Sequence, residues 1–142
     1  MKIIRQLRRL EEIKNKEKDR LLVELSEIDS AILKVRDAIK RLESELSRMD
    51  IATGNLRTFG EIKSNFDQLS YVMKEEKRLK EELANLERKR EETVQKLLIL
   101  ERERKIIKKL KERKEEEVKM ELLKREIKKL DEIGVLRWRN ER

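Results

Sequence analysis

The chain has no cysteine, no histidine and no proline. Without cysteine there is no disulfide and no thiolate to bind a metal or attack a substrate. Without histidine there is no imidazole ligand and no side chain whose ordinary pKa lies near neutrality. Ser26, Ser30, Ser44, Ser47, Ser64 and Ser70 therefore have neither of the usual partners that activate a hydroxyl. The lack of proline leaves long helices unbroken. Glycine occurs three times, and the Thr53-Gly54-Asn55 stretch lacks the frame of a phosphate-binding loop. Aromatics make up 3% of the chain, too few for a thick core or for base stacking. No apolar run exceeds Leu97-Leu98-Ile99-Leu100, so neither a transmembrane segment nor a signal-peptide core is expected. Glu and Asp are abundant, but on solvated helix faces they lack the cleft that acid–base chemistry needs. No catalytic residue, metal site or cofactor is expected, and the chain reads as a non-enzyme.

What remains is charge with a period. Charged residues are 49% of the 142-residue chain, and Leu and Ile recur between them at helical spacing. That combination reads as long helix or coiled coil rather than disorder. The net charge is +8. Residues 1–51 carry 13 basic and 11 acidic groups, residues 52–100 carry 10 and 9, and residues 101–142 carry 16 and 11. The basic excess lies in the last third. Nucleic acid is one partner class for such a charge, but the interleaved Glu residues would repel phosphate, and an acidic protein surface fits better.

Leu21, Leu25, Ile28, Ile32, Val35, Ile39, Leu42, Leu46 and Met49 alternate spacings of four and three, with every a and d position apolar. Upstream, Ile4, Leu7 and Leu10 form a stripe, and Lys14 to Arg20 interrupts it. The first helix is expected over about 2–51 and a turn over about 52–60, where Gly54, Asn55 and Gly60 favour a bend and Asn55 and Thr58 can cap helix ends. The second helix is expected over about 61–138, with Gly134 its first breaker. Ile62, Phe66, Leu69 and Met73 give its first seam; Leu79, Leu83, Leu86, Leu97, Leu100 and Ile107 follow after a phase shift, with Arg90, Thr93 and Arg104 as polar seam positions. The expected fold class is all-α, one domain over 1–142: a long antiparallel two-helix coiled-coil hairpin.

The helices differ in length, about 75 Å against about 110 Å at 1.5 Å per residue. A fold centred near residue 55 sets Leu21 opposite about residue 90 and leaves everything after about Lys111 overhanging. In that overhang Met120, Leu123, Ile127, Leu130 and Gly134 line one helix face, and Trp138 follows. Five in-phase positions and a tryptophan suggest a surface that another molecule covers.

The stretch Lys108–Trp138, with its Lys-Leu-Lys-Glu-Arg segment at 109–113, the Glu/Lys-rich helix after it and Leu130-Asp131-Glu132 before Arg137, resembles the FliJ family of flagellar export proteins. The likeness extends to size, two long helices, a turn and a tail. It implies a cytoplasmic component of the flagellar type III export apparatus, peripherally associated with its membrane-embedded part. It further implies a coiled-coil stalk that inserts into the ring of the export ATPase FliI, stimulates it, and contacts the export gate protein FlhA and export chaperones. On that resemblance the ring contact would fall to Leu7, Leu10, Leu123, Ile127, Leu130 and Trp138, and the gate contact to Phe66, Leu69, Tyr71 and Met73. A monomer when free is expected. The other readings are the equivalent stalk of an injectisome, a structural spacer and a nucleic-acid-binding hairpin.

Overall fold

The computed structural model describes residues 2–53 and 58–140, with side chains described for 2–49 and 58–140. Among the described residues there are two helices, α1 (Lys2–Thr53) and α2 (Phe59–Asn140), and no strand. The protein is all-α, and its two helices pack against each other as an antiparallel coiled coil. The Gly54-Asn55 turn lies outside the described residues. The start of α2 is capped by Thr58: its hydroxyl accepts the Glu61 N–H at 3.2 Å, and its carbonyl accepts the Ile62 N–H at 3.1 Å. Thr58-Phe59-Gly60-Glu61 is the sequence of a capping box. Gly134 does not stop α2. A helical glycine costs only about 1 kcal/mol relative to alanine, and Arg137 and Arg139 sit favourably at the negative end of the helix dipole.

The chain divides into two compact units, Arg20–Leu97 and Met1–Asp19 with Leu98–Arg142. In the first, the α1 heptads carry the packing. Leu21, Ile28, Ile32, Val35 and Ile39 are buried, and Leu25, Leu42, Leu46 and Met49 are half-buried. Val35, Ile39 and Leu79 form the core cluster, joined by Ala38, Leu42, Leu83 and Leu86. The α2 positions that turn inward are Asn65, Leu69, Val72, Glu76, Leu79, Leu83, Leu86, Thr93 and Leu97, one unbroken alternation of fours and threes if exposed Arg90 is included. This corrects the expected first seam and its phase shift. Phe66, Ile62 and Met73 are exposed, and only Leu69 belongs to both patterns. Polar Asn65 and Glu76 disguise the true stripe in an apolar-only reading. Thr93 is buried, and its hydroxyl donates to the Lys89 carbonyl at 2.9 Å. Arg90 meets Asp29 at 2.7 Å and Arg36 meets Glu87 at 3.2 Å. Residue 90 therefore faces Asp29 rather than Leu21, and the pairing is centred near residue 60 rather than 55.

The second unit has a heptad seam of its own, built largely through charge. Ile4, Leu7, Glu11, Lys14 and Lys18 keep the three-four spacing on α1, all half-buried. Across from them, Leu100 and Ile107 are buried, and Arg104, Lys111, Lys114 and Val118 are half-buried. Lys14 reaches Glu103 at 2.8 Å, Lys111 reaches Glu11 at 2.7 Å, and Lys18 lies 3.6 Å from Glu101. Arg104 donates to Asn15 at 2.9 Å and to Glu101 at 2.8 Å. Lys14 and Lys18, in the stretch that reads as an interruption, are thus ionic members of this unit's seam. Lys111 is covered by Glu11, and the last cross-helix pair is Arg8–Glu115 at 3.6 Å. Every residue from Lys119 to Asn140 is exposed. The uncovered tail begins at 119 rather than at 111, a shift of about two helical turns.

Candidate interaction surfaces

The ionic seam sets the electrostatics of the unit that carries the tail. The Lys111 ammonium holds the Glu11 carboxyl below its ordinary pKa, chiefly through their hydrogen bond. Arg104 does the same for Glu101. The Lys14 pKa is raised by its bond to Glu103. Ion pairs this close to solvent are screened and contribute little each to stability. Their geometry fixes register more than it adds stability.

Beyond this seam the tail presents its apolar side chains to solvent. Leu123 and Ile127 are half exposed, Leu130 is 66% exposed and Trp138 55%. Leu7 and Leu10, expected on the N-terminal turns closest to the tail, lie on α1 at its root. Leu7 is half-buried in the seam, Leu10 is exposed, and the Arg8–Glu115 pair places both beside the start of the tail rather than along it. The six candidates thus separate into four on the tail and two at its root.

The tail stripe does not continue the seam that α1 packs on. At about 100° per residue, Met120, Leu123, Ile127 and Leu130 lie roughly half a turn from the line of Leu100, Ile107, Lys111 and Val118. Traced back in the same phase, the stripe passes through Ile99, Arg102, Ile106, Lys109 and Arg113, all exposed. This back face of α2 escaped the sequence reading, although its signal is present: Ile99 and Ile106 stand seven apart and step in threes and fours to Met120.

In the other unit, the four expected gate residues fall on two flanks of α2. Phe66, Leu69 and Met73 line one shallow groove with Ser70, Lys74 and Lys77. Tyr71 lines another, with Leu42, Met49, Gly60, Ser64 and Val72. The inward line of Leu69, Val72 and Glu76 runs between them. Phe66 and Tyr71 are 68% and 69% exposed.

Among the described residues no cluster of acidic side chains is placed to hold a metal ion, and no helix is long and apolar enough to cross a membrane. The grooves are open and solvated. A chain built this way, two packed helices with apolar stripes facing solvent, belongs to the class of coiled-coil interaction proteins. More narrowly, it belongs to the flagellar FliJ protein family, whose model matches residues 1–142. No curated protein matches the chain, and no solved structure does. Membership makes it a flagellar protein-export coiled coil, associated with the export apparatus and of a family that is structural rather than known for catalysis.

Proposed function

We propose that the chain is the stalk of the flagellar export ATPase: a non-enzymatic coiled coil that inserts into the FliI ring, promotes its activity and links it to the export gate protein FlhA. The observation that carries this is the bare tail. An 82-residue α2 extends more than 20 residues past its last cross-helix pair, Arg8–Glu115, and leaves a phased apolar stripe in water. Leaving such a surface exposed is costly unless a partner covers it. A coiled coil whose faces differ gives each identical ring subunit a different contact, which is how a monomer can couple subunits in sequence. Leu123, Ile127, Leu130 and Trp138 would make the ring contact, with Leu7 and Leu10 at its mouth. Phe66, Leu69 and Met73, with Tyr71 on the other flank, would meet the gate. The protein would act in the cytoplasm, held at the membrane only through these partners, and export chaperones would dock on the same family of surfaces.

The test is sedimentation of the chain at several concentrations, alone and with the flagellar ATPase and nucleotide. The stalk reading expects a monomer that drives the ATPase into rings and raises hydrolysis. A stable dimer without effect on the ATPase would make the tail a self-association seam.

A further inference from the structure

The back face of α2 in the tail-bearing unit has a charge pattern of its own. Its stripe positions between Ile99 and Met120 are Arg102, Ile106, Lys109, Arg113 and Glu116, and Lys105 and Lys119 flank it. Arg102, Lys105, Lys109, Arg113 and Lys119 make no ion pair among the described residues. The acidic neighbours Glu103 and Glu117 are already taken, by Lys14 at 2.8 Å and Lys114 at 3.1 Å. Against these five cations the face holds two carboxylates that make no ion pair among the described residues, Glu116 on the stripe and Glu112 beside it, so its free charge is net positive, and it runs in phase into Met120, Leu123, Ile127 and Leu130. From this we infer that the back face is one continuous docking site for an acidic amphipathic helix of another protein. That helix would place carboxylates over Arg102, Lys109 and Arg113 and apolar side chains over the tail.

The arrangement disfavours a second copy of this chain. A parallel copy in register sets Arg102, Lys109 and Arg113 each against itself, Lys119 against Lys124, and Glu126 against Asp131. Like charges at seam and flanking positions select against a pairing. An antiparallel copy centred on the tail stripe sets Arg113 against Arg137. An acidic helix turns the Arg102, Lys109, Arg113 and Lys119 repulsions into attractions and meets like charge only at Glu112, Glu116, Glu126 and Asp131, and opposite charge across an interface raises the association rate as well as its selectivity. Because the site lies on the face away from α1, its occupant lies along the outside of the coiled coil and α1 need not move.

This inference rests on the reading of the tail as a docking surface, but its test is independent of any ATPase. The probe is a synthetic helical peptide of roughly four heptads, with glutamate at the interior positions that meet Arg102, Lys109 and Arg113 and leucine at those that meet Ile106 and the tail stripe. Its control has lysine in place of glutamate. Binding to the full chain is followed by calorimetry at physiological ionic strength. The glutamate peptide is expected to bind and the lysine peptide not. The triple reversal Arg102→Glu, Lys109→Glu, Arg113→Glu is expected to weaken binding by roughly tenfold or more. Reversal of Lys34, Lys40 and Arg41, exposed on α1 in the other unit, changes net charge equally and is expected to leave binding unchanged. Equal binding of both peptides, indifference to the triple reversal, or self-association that occupies the same face would each overturn the inference. A chain that discriminates the peptides yet leaves the ATPase untouched would sink the stalk reading and leave this one standing.

Discussion

Thr93 and Leu79 show how single positions divide the work. Thr93 occupies a seam position, is only 3% exposed and turns its hydroxyl back on the Lys89 carbonyl. That carbonyl is also the one its own backbone N–H reaches in a regular helix, so the hydroxyl adds little. Thr93→Val removes a buried polar group without orphaning its acceptor, and urea unfolding is expected to show a gain of roughly 1 kcal/mol. A loss would mean that the hydroxyl holds register. Leu79→Ala opens the core cluster around Val35 and Ile39 and is expected to cost about 2–3 kcal/mol, toward the low end for such changes because a two-helix core is thin. Leu123→Ala, which removes only exposed surface, should cost less than about 0.5 kcal/mol in the same assay. At this scale the sequence was informative wherever the seam was apolar: each of the nine α1 positions from Leu21 to Met49 is buried or half-buried. It misled where a seam position was polar. Asn65 and Glu76 face inward while Phe66 and Met73, the stronger hydrophobes, face out.

At the scale of the helices, ends and faces matter more than residues. Thr58 holds the start of α2 through its hydroxyl, and Thr58→Ala is expected to fray the first turn and cost about 1 kcal/mol. Amide exchange at Glu61 and Ile62 should rise while exchange around Leu79 stays slow. Equal protection in the variant would remove the cap from the account. The number and approximate extent of the helices were readable, because the absence of proline and an unbroken period leave little choice. The back face was masked in the sequence, because α2 carries two stripes half a turn apart and the second is interrupted by Arg102, Lys109 and Arg113. The pairing register was misplaced for a related reason. Gly54-Asn55 marks where the helix signals of the sequence lapse, whereas pairing is set by which heptad meets which, and charged pairs such as Asp29–Arg90 settle that only in three dimensions.

The whole molecule joins an apolar interface to an ionic one, and pH should separate them. Glu11 and Glu101 have lowered pKa values in the fold, so their contribution is present above the unfolded carboxylate pKa and is lost as pH falls through the folded one. Lys14 has a raised pKa, so its contribution is complete below the unfolded lysine pKa and is lost as pH rises through the folded value. The unit of Lys2–Asp19 with Leu98–Asn140 is therefore expected to loosen below the ordinary carboxylate range, near pH 4, and again above about pH 10.5. The apolar packing around Val35 and Leu79 should hold across both. Exchange mapped at acid pH tests this, and uniform loosening of both units would contradict it. The proposed function is assigned to the part that stability does not need, the bare tail. The most direct test of that claim is the ATP hydrolysis rate of the flagellar ATPase with the intact chain and with the Leu123→Ala, Ile127→Ala double variant. Stimulation by the intact chain, its loss in the variant, and unchanged unfolding of the variant are expected. Full stimulation by the variant would show that the tail is not the contact.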